Sequence, residues 1–388
     1  MKFYHTKYTR VNEDRLSSLP DELIHKILSC LDMKFVVQTC LLSSRRKLLR
    51  TTMPYLNFSN YPFGSLLRKF SKFVTHVLSH LNHQVDMTLI KLRFKDAVSQ
   101  VIVKRIANYA FSHNVQELTI ESFSPYQSYH PRKYPSCLFI SHSLKHFTFS
   151  SPFSPCVTPK TPRVFPALTT LHLLHIKLCD ADQESLDLFS KCVNLKNLTL
   201  DVFTVENVGV LEIITPRLST LTLIYGRCSE VVNLVAPKLE KHKVTNFSFK
   251  YLNAPSRLSL LYYRGCCPPA ELCKDRFHSL DKVTICLYLD SPYKEEDARM
   301  SLNMLQKLHS ASYLTFNADI IECITSFPDL LLHHSSPFSN LICLKIDSGV
   351  RKDVCQVNMS MEGRNFFLDN SRNATVIVEL TLNLGDSF

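Results

Sequence analysis

Three groupings of side chains in this sequence could do chemistry. His333-His334 and the trio Cys266, Cys267 and Cys273 offer donors for a metal ion, but neither has the paired ligand spacing of a zinc site. Carboxylates cluster at Asp180, Asp182 and Glu184 and again at Glu295, Glu296 and Asp297. Such pairs can share acid and base roles, but in stretches this rich in charge a solvated loop accounts for them. Lys241, Lys243 and Arg264 could converge on a carboxylate or phosphate. Seven glycines in 388 residues leave no GxGxxG, no Walker-type loop and no nucleophile elbow. The expectation is no catalytic residue, no metal and no cofactor, so the chain is not an enzyme.

What could position these residues is bounded by size. A 388-residue chain that is 45% hydrophobic and 20% charged buries a full core. It is too long for one ordinary compact domain, so it has two domains or an open-ended repeat. Its 14 cysteines are scattered without a CxxC pair or an even framework, as expected of reduced thiols inside a cell. No apolar run reaches the roughly 18 to 20 residues of a membrane span, and MKFYHTKYTR lacks the apolar core of a secretory signal. A soluble protein of the cytoplasm or nucleus with no membrane partner is expected. The net charge of +11 lies wholly in residues 1–110, with 18 Lys+Arg against 7 Asp+Glu, while residues 111–388 hold 27 of each. Arg45-Arg46-Lys47 is the only tight basic triplet, so an acidic protein partner or a solvated basic surface fits better than nucleic acid.

Leu16, Leu19, Leu23, Ile24, Ile27, Leu28 and Leu31 recur at steps of three and four, one face of an amphipathic helix and its entry. Ser18 and Asp21 make a Ser/Thr-x-x-Asp/Glu capping pattern, and Pro20 falls in the first turn. Asp32 can cap a second helix carrying Val36, Val37, Cys40 and Leu41, and Ser43 or Ser44 a third. Three short helices in about 40 residues bury too little to stand alone, so the unit wants a partner.

From residue 89 onward one motif returns: apolar, two variable, apolar, one variable, apolar. Its copies begin at Leu89, Val115, Leu144, Leu168, Leu195, Leu218, Leu239, Leu258, Leu280, Ala311 and Leu341. The spacing averages about 25 residues, the leucine-rich-repeat range. In Leu168–Leu173, Leu195–Leu200 and Leu218–Leu223 leucine alternates with Thr, His or Asn, so a short strand buries one side and offers the other to solvent. Pro166, Pro216 and Pro237 break the chain just before a strand. Val98, Val101, Ile102, Ile106 and Ala110 lie at helical steps and predict a helical return segment. Later returns are expected to be irregular. Eleven parallel strands would build a curved sheet about 50 Å long, a surface for proteins rather than a pocket. Ile176 and Phe203 stand where the longer repeat consensus has Asn or Cys, so no Asn ladder is expected.

The run Asp14–Leu31 followed by Val36–Arg45 resembles the plant-type F-box motif, and the repeats and tail resemble the F-box/FBD/LRR family. Phe327–Ser335, Phe338–Ile346, Phe366–Ser371 and Val376–Leu380 are similar to its FBD-type C-terminal region. The resemblance implies an α/β chain: residues 1–13 flexible, a three-helix F-box over 14–60, a repeat solenoid over 61–350 and an FBD-like capping tail over 351–388. It further implies docking to the acidic Skp adaptor, and through it a cullin ubiquitin ligase, by Leu19, Pro20, Leu23, Ile27, Leu28, Val36 and Leu41. A target protein would meet the outward residues Thr170, His172, Asn197, Thr199, Thr220, Thr222, Lys241 and Lys243. Asp32, Arg46 and Arg50 depart from that family's pattern, which leaves a repeat scaffold without adaptor binding as an alternative. A small-molecule-sensing F-box receptor is another.

Overall fold

The computed structural model describes residues 19–39, 49–64, 66–82, 84–95, 100–123, 136–150, 165–179, 185–206, 208–228, 231–247, 251–253, 257–266, 277–348 and 359–379. The chain divides into two compact units, 1–120 and 121–388.

In the first unit, helix α1 spans Asp21–Ser29 and α2 spans Met33–Thr39. Pro20 is the N-cap of α1 rather than part of its first turn, and its carbonyl accepts the Leu23 and Ile24 N–H groups at 3.1 Å each. Ser18, the expected capping partner, lies outside the described residues. Asp32 Oδ1 accepts the Lys34 N–H at 2.8 Å and so caps α2. Of the expected third helix only residues 49–51 are described, and they are helical.

Strand β1 (Tyr55–Ser59) runs parallel to β2 (Leu89–Lys95), with Tyr55 opposite Leu89, and β3 (Glu117–Phe123) lies next to β2. This corrects the expected F-box boundary at residue 60. Met53, Leu56 and Phe58 are buried at the apolar positions of the repeat motif, so a further copy starts at Met53 and its strand belongs to the sheet. Helices α3 (Leu67–Ser79) and α4 (Gln100–Ser112) fill the return segments. In α4 the buried face is Ile102, Val103, Ile106, Ala107, Tyr109 and Ala110, and Val101 is exposed. Val101 stands one residue before Ile102 and five before Ile106, about 100° and 140° around the helix, which turns it off the face that those two share; Val98 lies outside the described residues.

The second unit carries the parallel strands β4 (His146–Ser150), β5 (Thr170–Cys179), β7 (Asn197–Glu206), β9 (Thr220–Ile224), β12 (Lys241–Thr245), β14 (Leu260–Gly265), β15 (Lys282–Leu287), β16 (Tyr313–Asn317), β17 (Cys343–Asp347) and β18 (Thr375–Glu379), paired in that order. The numbers missing from this order belong to return segments. β10 (Arg227–Cys228) pairs with the end of β7. β6 (Ser185–Asp187), β8 (Val210–Ile214), β11 (Val231–Val235) and β13 (Tyr251–Asn253) form a second parallel sheet. That overturns the expectation of irregular returns. Leu211, Ile213, Val232 and Leu234 are buried at every second position, the period of a strand, and returns this short have no room for a helix. Later returns are helical: α5 (Glu295–Gln306), α6 (Ala318–Thr325), α7 (Pro328–Leu332) and α8 (Met361–Leu368). The parallel register of β18 on β17 carries the sheet into the stretch expected to be a separate capping tail.

Two devices stand where an Asn ladder would. One carbonyl of each repeat accepts two N–H groups from the next, as Thr169 does from Lys196 and Asn197, and Lys196 from Ser219 and Thr220. A hydroxyl often adds a third bond, from Thr169 to Lys145 O at 3.0 Å, Ser219 to Lys196 O at 3.1 Å and Ser259 to Glu240 O at 2.9 Å. The turns before the strands are closed by Leu168 N–H to Phe165 O (3.3 Å), Leu218 to Thr215 (3.4 Å) and Leu239 to Ala236 (3.0 Å). Pro166, Pro216 and Pro237 each sit second in their turn, where a fixed φ is an advantage.

Candidate protein-recognition surfaces

Two surfaces present side chains that the local fold leaves without an internal role. On α1 and α2, Ile24, Leu28, Met33 and Val36 turn inward, with Leu28 at 4% and Val36 at 0% exposure. Leu23, Ile27 and Phe35 face out at 48%, 45% and 46%. Leu19 is half-buried and Pro20 exposed. The expected contact residues therefore separate. Leu28 and Val36 are core that holds the helices, because they share a helical face with Ile24 and Met33; Leu23 and Ile27 are outside; Leu41 lies outside the described residues. Phe35 escaped the sequence reading. Its signal was phase: if Met33 and Val36 are inward, the residue between them that follows Lys34 points away. Within this unit His25 Nε2 lies 3.1 Å from Leu49 O, Lys34 Nζ donates to Pro62 O at 2.8 Å, and the same ammonium stands 5.0 Å from the Phe63 ring centre. These contacts hold the helices to the strand end.

On the second unit, strand register aligns the outward residues in rows. One runs His146, Thr170, Asn197, Thr220, Lys241, Leu260, Lys282, Tyr313, Cys343 and Thr375. The next contains Thr148, His172, Thr199, Thr222, Lys243, Tyr262 and Thr284. All eight residues expected to meet a target lie in these two rows. The Thr-rich stretch is uncharged except near His172, whose imidazole burial holds below its usual range while Asp201 and Glu121 oppose that shift. Its Nε2 has no hydrogen-bond partner among the described residues. Beyond it the rows become basic and aromatic. Lys243 Nζ stands 5.2 Å from the Tyr262 ring centre, and the Arg264 guanidinium lies 5.1 Å from that of Tyr288 while its Nε donates to the Tyr288 hydroxyl.

An apolar cleft within the repeat core is lined by Phe139, Phe147, Phe149, Leu171, Leu173 and Ile176. It has no charged lining group to orient a ligand. Among the described residues no cluster of three potential metal ligands occurs, and no helix is long and apolar enough to cross a membrane.

Residues 103–262 match the family model described as FBD-associated F-box protein At5g56370, LRR repeats. In Arabidopsis thaliana, the F-box/FBD/LRR-repeat protein At5g56420 is 31% identical over 214 residues, covering 54% of this chain and 49% of that protein. The F-box/LRR-repeat protein At1g55660 is 30% identical over 246 residues, 62% of this chain and 64% of the relative. With the F-box/FBD/LRR-repeat protein At4g03220, the identity is 25% over 365 residues, 88% of this chain and 70% of the other. These matches liken the chain to plant F-box/FBD/LRR-repeat proteins, most directly over its repeat region. It spans about half the length of several of the relatives it matches. Its described residues include a small helical module with exposed Leu23, Ile27 and Phe35 and, on the second unit, a repeat sheet whose outward rows are mainly polar.

Proposed function

We propose that the chain is the target-recognition subunit of a Skp-cullin-F-box ubiquitin ligase, working in the cytoplasm or nucleus. The helical module holds the Skp adaptor, and the outward rows of the repeat sheet hold a target protein. The chain performs no bond chemistry. Its contribution is proximity, which raises the effective concentration of a target lysine near the ligase's partner enzymes. The observation that carries the reading is the half-exposed trio Leu23, Ile27 and Phe35. Three large apolar side chains on two consecutive short helices are costly to leave in water and suit an apolar docking site.

The test is capture of a purified Skp-type adaptor by the full chain and by its Leu23→Asp, Phe35→Asp double variant. Both positions are outward, so melting temperature should hold within a few degrees, while capture falls at least about tenfold because charge enters a desolvated contact. Equal capture by both proteins, or none by the wild-type chain, would sink the reading in favour of an adaptor-independent scaffold.

A further inference from the structure

The outward face of β12, β14 and β15 differs from the rest of the repeat sheet in sign. Three consecutive strands present Lys241, Lys243, Arg264 and Lys282, and no outward position on them carries a carboxylate. In the row of Arg264, carboxylates stand on β7 (Asp201) and β17 (Asp347), three strands away on either side. Glu240 and Asp281 precede β12 and β15 at the strand-entry edge, and Asp319 and Asp347 lie close enough to Cys286 at the exit edge to help raise its thiol pKa, so the acid-free area is the outward face of the three strands themselves. Lys241 and Lys282 are exposed, and Lys243 and Arg264 are half-buried. Among the described residues, Lys241, Arg264 and Lys282 make no ion pair. Lysines and arginines elsewhere on the unit do so where a carboxylate is in reach, as Lys345 with Glu379 at 2.5 Å and Lys177 with Glu206.

Two of the cations are already placed. Tyr262 lies beneath Lys243, and Tyr288 stacks on Arg264 while accepting its Nε–H. Stacking fixes a long side chain without neutralising it, which lowers the ordering cost of a later ion pair and leaves guanidinium donors for a carboxylate. The spacing also suits a peptide. Lys241, Leu260 and Lys282 share one row, so the two ammonium-bearing positions are two strand spacings, about 10 Å, apart. In an extended polyproline-II segment, with three residues per turn and about 3.1 Å rise per residue, carboxylates three residues apart lie on one side at about the same distance.

We propose that β12, β14 and β15 form the station that selects the target, binding an extended Asp/Glu-rich segment laid across the strands, with Lys241 and Lys282 pairing its carboxylates and Arg264 on its Tyr288 platform holding one more. This deepens the target-binding reading of the sheet and rests on it. The probe is a fluorescein-labelled octapeptide of alternating Asp and Glu, titrated by anisotropy at low salt with the full-length chain and no adaptor. The Lys241→Glu, Lys282→Glu variant is expected to bind at least about tenfold more weakly. Lys191→Glu, Lys238→Glu, the same change of net charge on exposed turns, should stay within about twofold. Equal loss in both double variants would overturn the station, as would a single-stranded oligonucleotide or heparin that binds more tightly than the peptide, since either marks an unspecific polyanion surface. Thermal melts of each variant show whether it is folded. Because adaptor capture is scored separately, a failed peptide test with intact capture removes this inference alone, and the reverse removes the ligase reading alone.

Discussion

His242 is an imidazole in a slot that its neighbours give to leucine: Leu198, Leu221 and Leu261 share its row. It is fully buried, its Nδ1 is 3.3 Å from Leu221 O, and its Nε2 has no partner among the described residues. Burial lowers its pKa from 6.5 to about 4, partly opposed by the backbone carbonyl. The folded chain therefore refuses a proton that the unfolded chain accepts between about pH 6.5 and pH 4. Stability rises with pH through that window and is lost as pH falls through it, by up to about 3 kcal/mol. His242→Leu should abolish that part of the slope, gaining more in melting temperature at pH 5 than at pH 7.5. Identical pH profiles for the two proteins would show that His242 does not titrate on unfolding. The motif that starts at Leu239 has His242 in its second apolar slot, but the complete enclosure depends on the return segments, which a single motif does not reveal.

At the scale of elements, four repeat strands share a kink, inside β5 and β7 and just past the ends of β9 and β12. His175, Val202, Tyr225 and Asn246 each take a positive φ between 47° and 51°, and each stands seven residues after its motif start. The next residue enters a buried ladder of Ile176, Phe203, Gly226 and Phe247. Phe203 and Phe247 are two repeats apart, yet their ring centres are 5.2 Å apart. They meet across Gly226, where a Cβ would collide with both rings. Gly226→Ala should cost about 1 to 3 kcal/mol by overpacking, and Phe203→Leu in the same chain should recover part of it. A chemical-denaturation midpoint unchanged by Gly226→Ala would rule out this packing. Eleven motif starts and the strands behind them were legible from leucine spacing. The Phe ladder was not, because it joins residues that share a column only once strand register is set.

For the second unit as a whole, an aromatic cluster packs the last helical return segment against the end of the sheet. Phe367 stacks on Phe338 at 5.9 Å and meets Phe316 at 5.8 Å, with Phe366 at 5.2 Å. Phe316, Phe338 and Phe367 are completely buried. Phe367→Ala should cost about 3 to 5 kcal/mol. In a stack where each repeat touches chiefly its neighbours the damage stays local. Hydrogen exchange should therefore speed up in β16 to β18 and leave β7 and β9 almost unchanged. A uniform loss of protection would instead indicate one all-or-none cooperative unit.

The sequence alone determined the repeat and its period, the direction in which each strand's leucines turn, the Pro-closed turns, the first helix and the capped second one. All of these follow from local rules, since alternation, helical phase and cap chemistry act over a few residues. Tertiary structure decided what depends on neighbours far along the chain. It split the expected docking residues into a buried Leu28 and Val36 and an outward Leu23, Ile27 and Phe35. It made strands of four return segments, and it set Lys241, Arg264 and Lys282, drawn from three repeats, side by side. Register between repeats is a property of stacking, and no window of sequence shorter than the stack contains it.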